Sequence, residues 1–208
     1  VTVDMSFVIK YSNSLSTCCS YNFSGSEELN FVSTKKMELN IYDKDKNVII
    51  QNYLEDYGAS IKLPDYDVND NEEFLGWTDG SNIYKEIVLK RNVNLYPFVA
   101  STIGTEGLIY EFDSDSDSYF VSGYNGYYTD VVIPGVYNSK MVSKIKKNAF
   151  KNKNTIKTLT IPNTIKTIEN DTFSGMTSLI DVSIDDFSLL LSIGDRSFYN
   201  CSSLINIE

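Results

Sequence analysis

Three phenylalanines, Phe150, Phe173 and Phe198, each close a near-copy of one sequence pattern in the C-terminal half of the chain. The copies recur 23 and 25 residues apart. Each copy has a short strand-like run, a second apolar step and a tight turn that ends in the aromatic residue. Because so short a unit cannot bury its own apolar face, it must stack on its neighbours, and this half is predicted to be a solenoid.

The strand-like runs predict which side chains point into the solenoid. Apolar residues alternate with polar ones, and in two of the three copies a proline stops the run. The runs are Val131-Val-Ile-Pro134, Leu159-Thr-Ile-Pro162 and Val182-Ser-Ile-Asp185. We expect Leu159 and Ile161 to point inward in the second copy, and Val182 and Ile184 in the third.

The pattern of Ile-Pro, spaced Ile or Val, a small residue with Phe, and then Met or Cys with Leu resembles the BspA-like leucine-rich repeat, a variant found in surface proteins of bacteria and some protozoa. Residues 107–128 resemble the strand pair that opens such arrays, and residues 129–208 hold the repeats. The resemblance implies short parallel strands. Lys153 departs from the pattern where Met176 and Cys201 stand in the later copies, so the first copy is predicted to be a looser, capping unit with the lysine stem along apolar surface.

Residues 37–99 carry a second resemblance. Tyr57-Gly-Ala-Ser-Ile-Lys-Leu-Pro64, Phe74-Leu-Gly-Trp77 and Val93-Asn-Leu-Tyr-Pro-Phe98 are similar to the Listeria/Bacteroides repeat, the internalin B-repeat module. That family implies a small β-grasp-like domain that serves as a spacer in surface proteins and has no catalytic residues. The chain departs from it at the first turn, which is Asp43-Lys-Asp-Lys-Asn47 in place of a Gly-rich turn.

The remaining segments match neither family. Residues 1–36 predict a β segment, with alternation from Val1 to Tyr11, that is the tail of a preceding module or a degenerate copy of the next one. Residues 100–106 are interpreted as a linker. Because the chain begins inside a strand-like run and ends within a repeat, we expect it to be part of a longer protein.

Composition narrows the fold class and the partners. Tyrosine and phenylalanine are abundant and the apolar runs are short, which favours a β-rich fold. The net charge of −10 repels phosphates and anionic headgroups, so nucleic acid and acidic membrane surfaces are not expected partners. No apolar run approaches the length of about 20 residues that spans a bilayer, and no membrane insertion is expected in this chain.

Histidine is absent from the sequence, which removes Ser-His-Asp triads, Cys-His dyads and His-containing zinc sites. The three cysteines are an odd number, and two of them, Cys18 and Cys19, are adjacent, so a disulfide framework is not expected. Cys201 is interpreted as a buried small apolar residue. Neither a cofactor nor a catalytic site is predicted, and a carboxylate pair facing across a cleft stays the alternative for an enzyme.

The run Asp113-Ser-Asp-Ser-Asp-Ser118 offers alternating carboxylates. Hard cations such as Ca²⁺ take oxygen ligands of this kind, but the run lacks the glycine and distal glutamate of an EF-hand loop. Since it falls between two strand-like runs, a solvated hairpin turn is the favoured interpretation. Calcium binding by Asp113, Asp115 and Asp117 stays open.

The predicted binding surface lies on the outward side of the repeat strands. Residues between the inward positions stack from unit to unit, which is how solenoids present an extended binding face. The alternative is that they are ordinary solvent-compatible strand residues. The candidate residues are Asp130, Val132, Thr158, Thr160, Asp181 and Ser183.

The two resemblances imply a non-catalytic, secreted or cell-surface modular protein, bacterial in origin. Members of the repeat family include adhesins that bind host extracellular-matrix or plasma proteins, so adhesion to host or other cell-surface proteins, with glycans as further ligands, is the leading hypothesis. The second hypothesis is that both modules only space an effector or hydrolase domain outside this chain.

Overall fold

The computed structural model describes residues 35–185 and 188–208 in full, and within residues 1–34 it describes the backbone of four short strands. All regular elements in the described part of the chain are strands. In chain order they are β1 (Val3–Phe7), β2 (Lys10–Tyr11), β3 (Ser14–Leu15), β4 (Cys19–Phe23), β5 (Lys36–Tyr42), β6 (Ile49–Asp56), β7 (Ser60–Lys62), β8 (Glu72–Thr78), β9 (Ile83–Tyr84), β10 (Glu86–Val88), β11 (Val93–Ser101), β12 (Leu108–Asp113), β13 (Ser118–Tyr124), β14 (Asp130–Val132), β15 (Val136–Tyr137), β16 (Lys140–Ile145), β17 (Thr158–Ile161), β18 (Thr167–Ile168), β19 (Asp181–Ile184), β20 (Ser192–Ile193) and β21 (Asn206–Ile207). Among the described residues there is no helix of the length and apolar character needed to cross a bilayer.

The chain divides into two compact units, residues 1–34 and residues 35–208. In the first unit β1 pairs antiparallel with β4, and β2 pairs antiparallel with β3. The run predicted as strand from Val1 to Tyr11 contains two strands, β1 and β2, that belong to different sheets, and the rest of that prediction lies outside the described residues. In the second unit, two separate apolar cores lie in its N-terminal and C-terminal parts.

The N-terminal part of the second unit is built on a mixed five-stranded sheet in the order β6-β5-β11-β8-β9. Strand β11 runs parallel to β5 and antiparallel to β8. Met37, Leu39 and Ile41 alternate along β5 and are buried on one face, as the period of a half-buried strand requires. The β-grasp interpretation of residues 37–99 stays a prediction.

Trp77 anchors the core of this N-terminal part. Its side chain is buried, and its indole N–H donates to the carbonyl oxygen of Pro64 at 2.7 Å. The rings of Phe74 and Tyr66 meet it edge-on, with centroids 5.4 and 5.6 Å away. The indole is thus packed against other aromatic rings, and its one donor is satisfied.

The turn after β8 is held by the carboxylate of Asp79. It accepts from the backbone N–H groups of Ser81 and Asn82 at 3.0 Å, from the Tyr84 hydroxyl at 3.1 Å and from the Arg91 guanidinium at 2.6 Å. Burial raises the pKa of Asp79, but these four donors outweigh burial and hold the pKa below its ordinary value of 3.8. The ionised carboxylate therefore stabilises the fold.

We expect Asp79→Asn to lower the free energy of unfolding at pH 7 by about 1–3 kcal/mol, because charge-assisted hydrogen bonds are lost. The folded-state pKa is lowered, so the contribution of Asp79 is full above the ordinary carboxyl pKa and is lost as the pH falls through the folded-state value. Urea titrations followed by Trp77 fluorescence at pH 7 and at acidic pH measure the free energy of unfolding. The difference between wild type and variant should be smaller at acidic pH. Exposed Asp70 provides the control, Asp70→Asn, and an equal loss of stability there would contradict this assignment.

The segment between the two parts is bonded to the C-terminal part. The Gly135 N–H donates to the carbonyl oxygen of Ser101 at 2.8 Å, and the Asn163 side-chain amide donates to that of Val99 at 2.9 Å. Of the predicted linker, residues 100–106, the first two belong to β11, and Ala100 is buried. The Thr105 N–H donates to the carbonyl oxygen of Val132, and the Val132 N–H donates to the hydroxyl of Thr105.

The C-terminal part is a solenoid of three coils, as the repeats predict. Each coil adds one strand to a parallel sheet β14-β17-β19-β21 and one to a second sheet β12-β13-β16-β18-β20. The core lies between these two sheets. Leu159, Ile161 and Val182 are buried as predicted, and Ile184 is partly buried and packs against the same core.

An aromatic spine runs through the coils. The ring centroids of Phe150 and Phe173 are 5.6 Å apart, and those of Phe173 and Phe198 are 5.1 Å apart. Tyr124, at the end of β13, adds one more ring to the spine, 5.8 Å from Phe150, which the repeat pattern did not predict. Phe150 and Phe173 are fully buried, and Phe198 packs against the same core. The predicted shared spine is therefore confirmed.

Two backbone positions in each coil flank the spine residue with positive φ. The turn reverses the chain so sharply that the left-handed region is needed on both sides of the ring. Asn and Gly adopt this region most readily. The pairs, with φ from 56° to 76°, are Asn148 and Asn152, Asp171 and Gly175, and Arg196 and Asn200.

Coil length varies at one corner only. We measure the step from the isoleucine that ends, or directly follows, the strand of the first sheet to the isoleucine that ends the strand of the second sheet. It is twelve residues in the first coil (Ile133 to Ile145), seven in the second (Ile161 to Ile168) and nine in the third (Ile184 to Ile193). From there to the spine phenylalanine the step is five residues in every coil. In the first coil the extra length is a small hairpin in which β15 pairs with β16.

We expect Phe173→Ala to lower the free energy of unfolding by about 3–5 kcal/mol, because the change leaves a cavity in the middle of the spine. Urea unfolding followed by circular dichroism measures the effect. The matched control is Leu191→Ala in the third coil, where the side chain is 83% exposed and the change should stay within about 0.5 kcal/mol. Equal effects at the two positions would contradict the spine.

Candidate binding face of the solenoid

The six residues predicted as a binding surface lie in two rows across the outward side of the first parallel sheet. We call this surface the ladder face. Parallel pairing places Asp130 beside Thr158 and Thr158 beside Asp181, and in the second row Val132 beside Thr160 and Thr160 beside Ser183. The structure therefore brings all six together, and their role in ligand binding stays a prediction.

Asn206 extends the first row by one strand. It pairs with Asp181 in the register of β19 and β21. It was not among the predicted residues, since the chain ends before a fourth aromatic residue that would mark another copy. The signal was present in the spacing, since Asn206 stands 25 residues after Asp181, as Phe198 does after Phe173.

The first row is organised around the carboxylate of Asp130. The hydroxyls of Thr158 and Thr129 donate to its two oxygens at 2.6 and 2.8 Å. These two hydrogen bonds, with the positive charge of Lys157 nearby, lower the pKa of Asp130 against a small opposing effect of desolvation. Asp130 is thus ionised at neutral pH and presents a fixed acceptor at one end of the ladder face.

A groove of about 590 Å³ borders the ladder face. Its rim residues Lys157, Ile180 and Ile205 each directly precede a first-row residue and recur 23 and 25 residues apart. The groove is lined by one cationic side chain, that of Lys157, together with apolar side chains and serine hydroxyls. The remaining lining residues are Ser178, Ser202, Ser203 and Leu204. Sequence reasoning missed the groove because its residues come from three coils, although the matched spacing was readable.

Two tyrosines stand exposed at the start of the ladder face. Tyr127 is 77% exposed, and its ring stacks on that of Tyr128 with centroids 4.9 Å apart. The backbone N–H of Tyr128 donates to the hydroxyl of Tyr124 at 3.1 Å, which ties the pair to the aromatic spine. Exposed tyrosines are frequent contact residues in protein interfaces because they combine apolar area with a polar tip.

The acidic run after β12 forms a hairpin turn, as favoured by the sequence. The carboxylate of Asp113 accepts from the Asp115 N–H at 3.1 Å and from the Ser116 hydroxyl at 2.8 Å, and these bonds lower its pKa. Asp117 instead forms an ion pair with Lys140 at 2.6 Å. In the described residues no group of three acidic, cysteine or histidine side chains is placed to hold a metal ion.

Cys201 is partly buried and packs against the solenoid core. Its thiol donates to the carbonyl oxygen of Phe173 at 3.2 Å, and burial raises its pKa. A protonated thiol of this kind acts as a small apolar residue and a poor nucleophile. Cys18 and the side chain of Cys19 lie outside the described residues.

Comparison with known families agrees with this geometry. Residues 124–208 match the family model of the BspA type leucine-rich repeat region, in six copies. This part of the chain is therefore a BspA-type leucine-rich repeat region. No curated protein matches the chain.

Several solved structures of leucine-rich repeat proteins are similar to the chain. A leucine-rich repeat protein of T. pallidum has 24% identity and a TM-score of 0.47, covering 50% of this chain and 48% of its own. A leucine-rich cell surface protein of Faecalibacterium prausnitzii A2-165 has 26% identity and a TM-score of 0.44, covering 52% and 30%. A leucine-rich repeat protein of Bacteroides ovatus ATCC 8483 has 25% identity and a TM-score of 0.44, covering 50% and 28%. The matched part thus spans less than half of each of these proteins.

We expect Thr158→Val to raise the pKa of Asp130, because the nearly isosteric change removes one of the two hydroxyls that stabilise the carboxylate. A titration of the Asp130 carboxyl carbon by NMR measures the shift. Thr160→Val is the control, since Thr160 lies in the second row and hydrogen bonds with Ser183. An unchanged pKa in Thr158→Val, or an equal rise in Thr160→Val, would show that the hydroxyl of Thr158 does not set the charge of Asp130.

Proposed function

We propose that this protein is an adhesin whose ladder face and adjoining groove bind a host extracellular or other cell-surface protein. The repeat region belongs to a class of proteins built for protein interaction, which supports the general role. The observation that carries the specific proposal is the alignment of two polar rows and one mixed groove across consecutive coils. Such a surface offers many small contacts at a fixed repeat distance, and a long protein segment can use them together.

The charges of the face favour a polar and partly basic ligand. Asp130 is ionised, and Asp181 lies in the same row two strands away, on the other side of Thr158. Lys157 supplies one cation at the groove. A partner with lysine or arginine side chains would meet the carboxylates of the first row, while its apolar residues contact Ile180 and Ile205. Glycans, whose hydroxyls can pair with the same carboxylates, are the second class of ligand.

The repeat family is not typically catalytic, and the proposed role is non-catalytic. By the same family relation we propose an extracellular or cell-surface location. Both statements rest on the repeat region rather than on any single residue.

The alternative role is that of a spacer, and one observation favours it. The hydrogen bonds from Gly135 and Asn163 to Ser101 and Val99 tie the N-terminal part of the second unit to the first two coils. A bonded junction transmits a fixed orientation, which suits a spacer between an anchor and an effector. In that role the ladder face would have no ligand.

The test is a binding screen of the whole chain against extracellular-matrix proteins, plasma proteins and a glycan array. For any ligand found, we expect Asp181→Lys to weaken binding by about tenfold or more, since it reverses a charge in the centre of the ladder face. Asp195→Lys is the matched control, because it makes the same charge change at an exposed turn in the third coil, and it should leave the dissociation constant unchanged. Equal affinity of Asp181→Lys and wild type would contradict the ladder face, and the absence of any ligand would favour the spacer.

A further inference from the structure

We propose that β6 pairs antiparallel with β6 of a second copy, so that the protein forms a symmetric dimer through the edge of its N-terminal sheet. Strand β6 is eight residues long and stands at the end of the sheet order β6-β5-β11-β8-β9. In the described part of the chain β5 is its only pairing partner. The proposal is independent of the adhesin role.

The exposure of β6 is unusual for a strand of this length. All of its residues are exposed except Tyr53, which is partly buried. The apolar side chains of Val48, Ile49, Ile50 and Leu54 are between 48% and 62% exposed. Exposed apolar residues gathered along one strand mark an interaction site more often than a monomer surface.

This edge has little of the usual protection against pairing, with one β-bulge opposite Tyr42. Natural edge strands are kept short or carry proline, lysine or inward charges. The other ends of the large sheets follow that rule, because β9, β20 and β21 have two residues each and β14 has three. The remaining edge, β12, carries Glu111 and Asp113. Residues 48–54 contain neither charge nor proline, and the two acidic residues of β6, Glu55 and Asp56, stand together at its end.

The sequence of β6 is complementary to itself, which selects a second copy as the occupant. When two copies pair antiparallel about Gln51, Val48 lies opposite Leu54, Ile49 opposite Tyr53, and Ile50 opposite Asn52. The first two are apolar or aromatic cross-strand pairs of the stabilising kind, and no like charges face each other over this stretch. A twofold axis through Gln51 makes the contact closed, so it stops at a dimer.

The test measures the mass of the whole chain in solution over a concentration series, by light scattering and by sedimentation. We expect a dimer for the wild type and a monomer for Leu54→Lys, which places two unpaired charges in the interface. Leu191→Lys is the matched control, because it makes the same change at a more exposed leucine in the solenoid, and it should stay dimeric. Circular dichroism verifies that both variants fold.

A cross-link tests the register. Gln51 faces its own copy across the proposed axis, where paired Cα atoms lie about 4.5–5.5 Å apart, within disulfide range. In a background with the three native cysteines replaced, Gln51→Cys should form a disulfide-linked dimer on mild oxidation, and Tyr57→Cys, six residues from the axis, should not. A monomeric wild type at all concentrations, a dimer that survives Leu54→Lys, or a dimer that Gln51→Cys fails to link would each overturn the proposal.

Discussion

The contact on which the solenoid depends is the stacking of aromatic rings from coil to coil. No coil can bury its own phenylalanine, so the rings of Phe150 and Phe173 are each covered by the ring before and the ring after, and the last ring, Phe198, is covered by Phe173. Backbone hydrogen bonds join the coils at the same positions. The N–H groups of Phe150 and Phe173 donate to the carbonyl oxygens of Thr172 and Ser197 in the next coil, both at 2.9 Å. Because the spine sets the coils in register, it also aligns the outward rows of the ladder face.

The features that the sequence predicted are those with a local period. Alternation along the strand-like runs identified the inward residues, and the fixed step to Phe150, Phe173 and Phe198 identified the spine. Tyr124 escaped because it ends a strand of the opening hairpin and has no repeat turn around it. The paired left-handed positions escaped as well, because residues as different as Arg196, Asp171 and Asn148 occupy the same place, and their shared property is backbone conformation.

Contacts between distant segments left no local signal. Asn163 and Val99 are separated by 64 residues along the chain, and the short run of small residues after Val99 has the composition of a linker. Besides these hydrogen bonds, Ala100 packs closely against the first coil, since a Cβ on Gly135 would lie 2.8 Å from the Cβ of Ala100. Glycine at 135 is thus needed for the close approach.

The coils differ in length at one corner only, and this corner is also where the N-terminal part is attached. Gly135 and Asn163, which hold the end of β11, both lie at that corner. Residues can be added or removed there while the step to each spine ring stays at five. An insertion or deletion in the sequence at this corner would therefore reorient the N-terminal sheet and leave the ladder face unchanged.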